Sequence, residues 1–166
     1  MQKVLIDSCG LSEEGLAELL AGLCELSVLR SLVLRRTTIG INCLPYLQVL
    51  AESIFPSNLA VLKIEKCKIS RETTLGICLM LKERCYVRSL ALVRVSFDSE
   101  SIAVFCEYLS KKPYVEDLDL SDNRLDPKLF LPILQALSKL SSLKQLNISW
   151  NLLLEKARGP QIGTYV

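Results

Sequence analysis

A segment of the form L-x-x-L-x-L-x-x-N/C-x-L recurs along this chain, and self-similarity at such a period leaves few folds open. Copies begin at Met1, Leu29, Leu59, Val87, Val115 and Leu143, at intervals of 28, 30, 28, 28 and 28 residues. Position one holds those six residues. Position four holds Val4, Leu32, Leu62, Leu90, Leu118 and Leu146, and position six holds Ile6, Leu34, Ile64, Leu92, Leu120 and Ile148. Position eleven holds Leu11, Ile39, Ile69, Phe97, Leu125 and Leu153. Four positions in six copies make 24, and every one is apolar. Half of the 166 residues are apolar, so chance would fill all of them on the order of one time in 10⁷.

The x-L-x-L-x centre of each copy alternates and predicts a short strand. Helical stretches follow. Ser12, Glu13 and Glu14 open the first, with Leu16, Leu19, Leu20 and Leu23 at helical spacing. Residues 99–110 carry Ile102, Phe105, Cys106 and Leu109, while Asp126 and Pro127 open a stretch with Phe130, Ile133, Leu134 and Leu137. A serine or acid ahead of proline or glutamate marks a helix start. One such unit cannot bury its own strand face, but stacking strand on strand and helix on helix does so. The expected fold is therefore α/β: a right-handed curved solenoid, with parallel strands on the concave face and helices on the convex face. Residues 1–166 read as one array of six repeats, the last incomplete, with a divergent tail over 154–166. The template starts at residue 1 without a polar cap, which points to a segment of a longer array or to ends covered by partners. The tail is alternatively a short cap of its own.

Position nine holds Cys9, Thr37, Cys67, Val95, Asn123 and Asn151. A polar side chain there can satisfy backbone groups of the adjoining loop. Valine cannot, so the Val95 turn is expected to be the most irregular or water-filled. The two extra residues of the second interval are expected at the corner formed by Phe55, Pro56, Ser57 and Asn58.

The period, the C or N at position nine and the full helix after each strand resemble the ribonuclease-inhibitor-like class of leucine-rich repeats. CGLSEEGLAELLAGL (residues 9–23) matches the class pattern C/N-x-L-x-x-x-G-x-x-x-L-x-x-x-L, and LDLSDNRL (118–125) and LNISWNLL (146–153) match its strand half. The resemblance covers residues 1 to 153. Gly15 departs from its counterparts Ser101 and Leu129, so the later helices should pack differently. Members of the class include ribonuclease inhibitor, the sensor ends of NLR immune receptors, the Ran GTPase-activating protein and axonemal subunits. The resemblance implies a protein-binding scaffold, with a GTPase-activating or other enzyme-regulating module as the alternative. Accelerated GTP hydrolysis by a small GTPase would separate the second from the first.

Composition narrows the function further. Twenty basic residues face 18 acidic ones, so no whole-chain field favours nucleic acid or an anionic membrane. The longest uncharged stretch, residues 37–51, is interrupted by Asn42 and Pro45 and is shorter than the roughly 20 apolar residues of a membrane span. The start, MQKVLIDSCG, lacks the apolar core of a secretory signal. Seven single cysteines without a C-x-x-C pair fit reduced thiols better than a disulfide framework or a zinc site. Cys24, Cys78, Cys85 and Cys106 fall in helical stretches and read as small core residues. The expected setting is cytoplasmic and reducing, with nucleus and cilium left open. There is no histidine, which removes the commonest general base and the triads built on it, and no phosphate-binding glycine loop. No catalytic residue, cofactor, metal or small-molecule substrate is expected. Asp117, Asp119 and Asp122 have oxygen ligands of the kind magnesium or calcium takes, but a solvated acidic patch suits their spacing better.

Strand residues pointing away from the core align as columns. Position three runs Lys3, Ser31, Val61, Ser89, Asp117, Gln145; position five, Leu5, Val33, Lys63, Ala91, Asp119, Asn147. Position seven runs Asp7, Arg35, Glu65, Val93, Ser121, Ser149; position eight, Ser8, Arg36, Lys66, Arg94, Asp122, Trp150. Neighbours lie about 4.8 Å apart. Arg36, Lys66 and Arg94 make a basic rim beside an apolar floor of Val33, Val61, Ala91 and Val93. The sign then reverses at Glu116, Asp117, Asp119 and Asp122, with Trp150 on the next strand. An exposed tryptophan beside charge has the composition of an interface anchor. The protein-binding residues expected are Arg36, Lys66, Arg94, Asp117, Asp119, Asp122 and Trp150. The partner is expected to be a protein in a larger assembly, without nucleic acid or membrane.

Overall fold

The computed structural model describes residues 2–26, 28–52, 59–111 and 114–152. The chain runs β1 (Lys3–Asp7), α1 (Glu13–Cys24), β2 (Ser31–Arg35), β3 (Thr38–Ile39), a 3₁₀ turn (Ile41–Cys43), α2 (Leu44–Ala51), β4 (Val61–Glu65), β5 (Lys68–Ile69) and α3 (Arg71–Arg84). It continues through β6 (Ser89–Val93), α4 (Ser99–Lys111), β7 (Asp117–Asp119), α5 (Pro127–Leu137) and β8 (Gln145–Asn147). The protein is α/β, with a parallel six-stranded sheet in the order β1-β2-β4-β6-β7-β8 and a parallel pair, β3-β5. The corner at residues 55–58 and the tail 154–166 lie outside the described residues. Among those described, no helix is long and apolar enough to cross a membrane.

Every pairing in the large sheet joins equal repeat positions. Leu32 lies opposite Val4 on one side and Leu62 on the other, and Leu90 opposite Leu62 and Leu118. The two extra residues between the second and third copies leave this register intact. Positions four and six then point together to one side, and Leu32, Leu34, Leu62, Ile64, Leu90, Leu92, Leu118 and Leu120 are all buried. Position one adds Leu29, Leu59, Val87 and Val115 to the same core. Burying a leucine or isoleucine fully contributes about 2 kcal/mol, so this stack of aliphatic rungs dominates the stability. At the two ends of the sheet Val4, Leu146 and Ile148 are only half-buried, where the edge strands β1 and β8 each pair on one side among the described residues.

Local chemistry starts the helices as expected. The Ser12 hydroxyl accepts from the Gly15 N–H at 3.2 Å, with Glu13 and Glu14 in the first turn of α1. Asp126 caps α5 by accepting from the Leu129 N–H at 2.9 Å, and Pro127 follows it. Asp98 and Ser101 cap α4 reciprocally: the Ser101 N–H donates to Asp98 Oδ1, and the Asp98 N–H to Ser101 Oγ. The helices pack in sequence order, α1 on α2, α2 on α3, α3 on α4 and α4 on α5. Where α2 meets α3 the approach is close, since a Cβ on Gly76 would stand 2.3 Å from Leu44 Cδ1. Three details differ from the sequence-based expectation. Leu19 and Leu134 lie at the edge of their helical stripes and are 40% and 44% exposed. The helices bury a narrower stripe, α1 through Leu16, Ala17, Leu20 and Leu23, and α5 through Phe130, Ile133, Ala136 and Leu137. Cys85 follows the last residue of α3 and forms an isolated antiparallel bridge with Glu52.

The turn after each strand shows how the polar position nine works. Asn123 Oδ1 accepts from the Val95 N–H at 2.8 Å, while its amide nitrogen donates to Leu92 O at 2.7 Å and Leu120 O at 2.9 Å. Asn151 repeats the pattern one strand on, accepting from the Asn123 and Leu125 N–H groups and donating to Leu120 O. The asparagine therefore serves the turn of the preceding repeat as well as its own. This corrects the expectation for Val95: its turn is regular, because the polar group it needs arrives from the following repeat. Earlier in the chain the means change. The Cys67 thiol donates to Leu34 O at 3.4 Å, and the loops join through the β3-β5 pair.

Candidate functional site

The face of the sheet opposite the core carries the columns read from the sequence. Lys3, Ser31, Val61, Ser89, Asp117 and Gln145 stand in register, as do Leu5, Val33, Lys63, Ala91, Asp119 and Asn147. Position eight has a common backbone state. Ser8, Arg36, Lys66, Arg94, Asp122 and Trp150 all adopt left-handed φ angles, from 47° to 59°. Non-glycine residues rarely do so. Here the conformation is held by the next strand. The N–H of Ser8 donates to Arg35 O, Arg36 to Glu65 O, Lys66 to Val93 O, Arg94 to Ser121 O and Asp122 to Ser149 O, at 2.9–3.4 Å. The rim residues thus leave the sheet end from six turns of one conformation, the first five of them pinned to the following repeat.

Their charges are mostly paired across strands. Arg36 clasps Asp7 of the preceding repeat, Nε to Oδ1 at 2.8 Å and Nη2 to Oδ2 at 2.7 Å. The guanidinium holds the Asp7 carboxyl below its ordinary value of 3.8. Arg35 pairs with Glu65. Arg94 Nε stands 3.4 Å from Asp122 Oδ2, so the boundary between the basic rim and the acidic patch is itself an ion pair. Glu116 binds Lys144 at 2.7 Å, with Arg88 3.9 Å away, and its carboxyl is lowered, chiefly by Lys144. Lys66 has no ion-pair partner among the described residues.

Over β6, β7 and β8 the face opens into a depression of about 410 Å³, lined by Lys63, Ser89, Ala91, Asp117, Asp119, Gln145 and Asn147. Ala91 forms its floor: it lies between Lys63 and Asp119 in the register and is 2% exposed. The expected apolar floor is accordingly uneven, with Ala91 and Val93 buried and Val33 and Val61 half-buried. Asp119 is oriented by the Ser121 N–H at 2.9 Å and by Asn147 Nδ2 at 3.1 Å. Asp117 makes no ion pair among the described residues. Trp150 is 67% exposed, the most open large apolar side chain described. Among the described residues, no three carboxylates or thiols gather into a metal-ligand cluster.

Neither a protein-family model nor a curated protein matches this chain.

The structure groups the candidate residues unevenly. Asp117 and Asp119 share the depression, with Trp150 at the adjoining strand end. Asp122 is drawn to Arg94, and Arg36 to Asp7. Lys63 and Gln145, which the sequence reading placed in columns without a role, complete the depression. Lys68, not singled out before, lies opposite Thr38 in the small sheet. Its signal was the charge at position ten of the third repeat, beside Lys66.

Proposed function

We propose that this chain is a leucine-rich repeat array of the ribonuclease-inhibitor-like class, a right-handed solenoid with its strands on the concave face and helices on the convex face. In this reading it is a non-catalytic scaffold that binds a partner protein through the concave face over β6, β7 and β8. The observation that carries the reading is the unbroken pairing of equal repeat positions across six strands, with the same left-handed turn ending each one. Such a face is preorganised, and a rigid surface loses little conformational entropy on binding. Asp117, Asp119 and Trp150 form the contact. The two aspartates line the depression, Asp119 is already oriented, and the open indole at the adjoining strand end supplies the apolar anchor that interface hot spots favour. Arg36 and Arg94 contribute less, because each already holds a carboxylate. None of the seven cysteines is joined in a disulfide, which fits a reducing, intracellular setting.

Affinity capture from source extract tests this, with the wild-type chain set against an Asp117→Lys/Asp119→Lys/Trp150→Ala variant and the captured proteins identified by mass spectrometry. Partners lost with the variant alone support the reading. Equal capture by both chains removes the site from this face, and a wild-type chain that retains nothing counts against a scaffold.

A further inference from the structure

A second depression, of about 360 Å³, opens at the strand ends between the first three repeats. Arg36, Thr38, Lys66 and Lys68 line it, with Gly10 at its edge. Thr38 and Lys68 are opposed in the β3-β5 pair, so their side chains are neighbours. Arg36 and Lys66 occupy equivalent left-handed turns, two residues earlier on the same two repeats. The Lys66 N–H is tied to Val93 O at 2.9 Å and the Lys68 N–H to Thr37 O at 2.8 Å, which anchors the backbone beneath both ammonium groups. Gly10 has a left-handed φ of 64°, and a Cβ added there would meet nothing within 4 Å, so that side stands open.

The charge balance is positive. The cations Arg36, Lys66 and Lys68 line the opening, and Arg35 lies in the adjoining depression with Asp7 and Glu65. The carboxylates Asp7 and Glu65 are engaged by Arg36 and Arg35 respectively. Glu13 is directed elsewhere, accepting from the Asn42 N–H and lying against Gly40 rather than lining the depression. Neither Lys66 nor Lys68 has an ion-pair partner among the described residues. Asp7 occupies Nε and Nη2 of Arg36, and Nη1 has no hydrogen-bond partner among the described residues. Two ammonium groups, one guanidinium edge and a hydroxyl thus border one opening. Donors on several sides suit a tetrahedral, multiply charged anion, whereas a planar carboxylate would engage fewer of them.

We propose that this depression binds a phosphoryl group through Lys66, Lys68, Thr38 and the free edge of Arg36. It is separate from the face over β6 to β8 and does not depend on the reading given for that face. Free phosphate and a phosphorylated segment of another protein present the same chemistry, and the test separates them. The full chain is titrated at low ionic strength with inorganic phosphate, with a phosphoserine peptide and with the same peptide lacking the phosphate, followed by calorimetry and amide chemical shifts. Saturable phosphate binding is expected, weakened about tenfold or more in Lys66→Asn/Lys68→Ser and unchanged in Arg88→Ser, which lies outside the depression. Asparagine tolerates the left-handed turn at position 66, so the variant keeps its fold. A phosphopeptide that binds more tightly than phosphate identifies a phosphorylated protein as the source, and equal affinity identifies the free anion. Absence of saturation, binding indifferent to the lysine substitutions, or equal affinity for the unphosphorylated peptide would each overturn the proposal.

Discussion

At the scale of single residues, the polar groups inside the core separate into served and unserved. Asn123 is served on every side, with three hydrogen bonds to backbone of two repeats. Truncating it leaves buried N–H and C=O groups without partners, each costing about 1–3 kcal/mol. Asn123→Ala is therefore expected to destabilise the fold by roughly 2–4 kcal/mol and to speed hydrogen exchange at the Val95 amide. Unchanged protection at Val95 would mean that water replaces the side chain without loss. Tyr108 is the opposite case. Its hydroxyl is buried with no hydrogen-bond partner among the described residues, and burial raises its ionisation well above the ordinary value of 10.0, with Cys85 adding to the effect. Tyr108→Phe keeps the ring, which packs on Phe105 at a centroid distance of 5.8 Å, and removes an unpaired donor. Chemical denaturation should give equal stability or a gain of about 1 kcal/mol; a clear loss would reveal a partner for the hydroxyl.

Among the elements, α5 combines the strongest start signal with an internal fault. Asp126 and Pro127 open it, yet Pro132 sits in its interior, on the exposed side. A proline there removes one backbone hydrogen bond and crowds the preceding turn, a cost of about 3 kcal/mol against alanine in an ordinary helix. Because Pro132 is exposed, Pro132→Ala is expected to raise stability by about 1–3 kcal/mol, read as a higher midpoint in urea at constant slope. A fall in the midpoint would show that the helix depends on the proline's distortion. The expectations for the helices erred in one consistent way, at Leu19 and Leu134. A helical repeat of apolar residues marks a stripe, but how much of it is covered depends on the neighbouring helices, and those press from two sides on a narrow band.

Across the whole molecule, charge acts as a set of ties between repeats. Asp7, Glu107 and Glu116 are held below their ordinary values of 3.8 or 4.5 by Arg36, Lys82 and Lys144 of neighbouring repeats, and Asp98 is lowered within its own repeat by the Ser101 backbone N–H. For carboxylates lowered in the folded state, the stabilisation is complete above the ordinary value and disappears as pH falls through the lowered one. The melting temperature should therefore be flat from about pH 7 to about pH 5 and drop below about pH 4. Asp7→Asn and Glu116→Gln should each reduce that drop, and a profile unaltered by both would show that these ties do not govern the acid response.

What was legible beforehand follows from periodicity. A repeat of 28 residues with apolar positions one, four, six and eleven makes equal positions meet, so the parallel register, the buried columns and the outward columns could be read without coordinates. Even the extra pair of residues before β4 did not disturb them, since they precede the strand. Tertiary structure alone decided which way each side chain leans. Arg36 reaches back to Asp7 while Arg94 reaches forward to Asp122, and Asn123 supports the turn of Val95 in the repeat before its own. The period is blind to these choices, because side chains from neighbouring repeats compete for the same few ångströms and the outcome depends on length, charge and the angle of a left-handed turn. For the same reason the depression among Lys63, Asp117 and Asp119 and the one among Arg36, Lys66 and Lys68 became visible only when residues about 30 positions apart were set side by side.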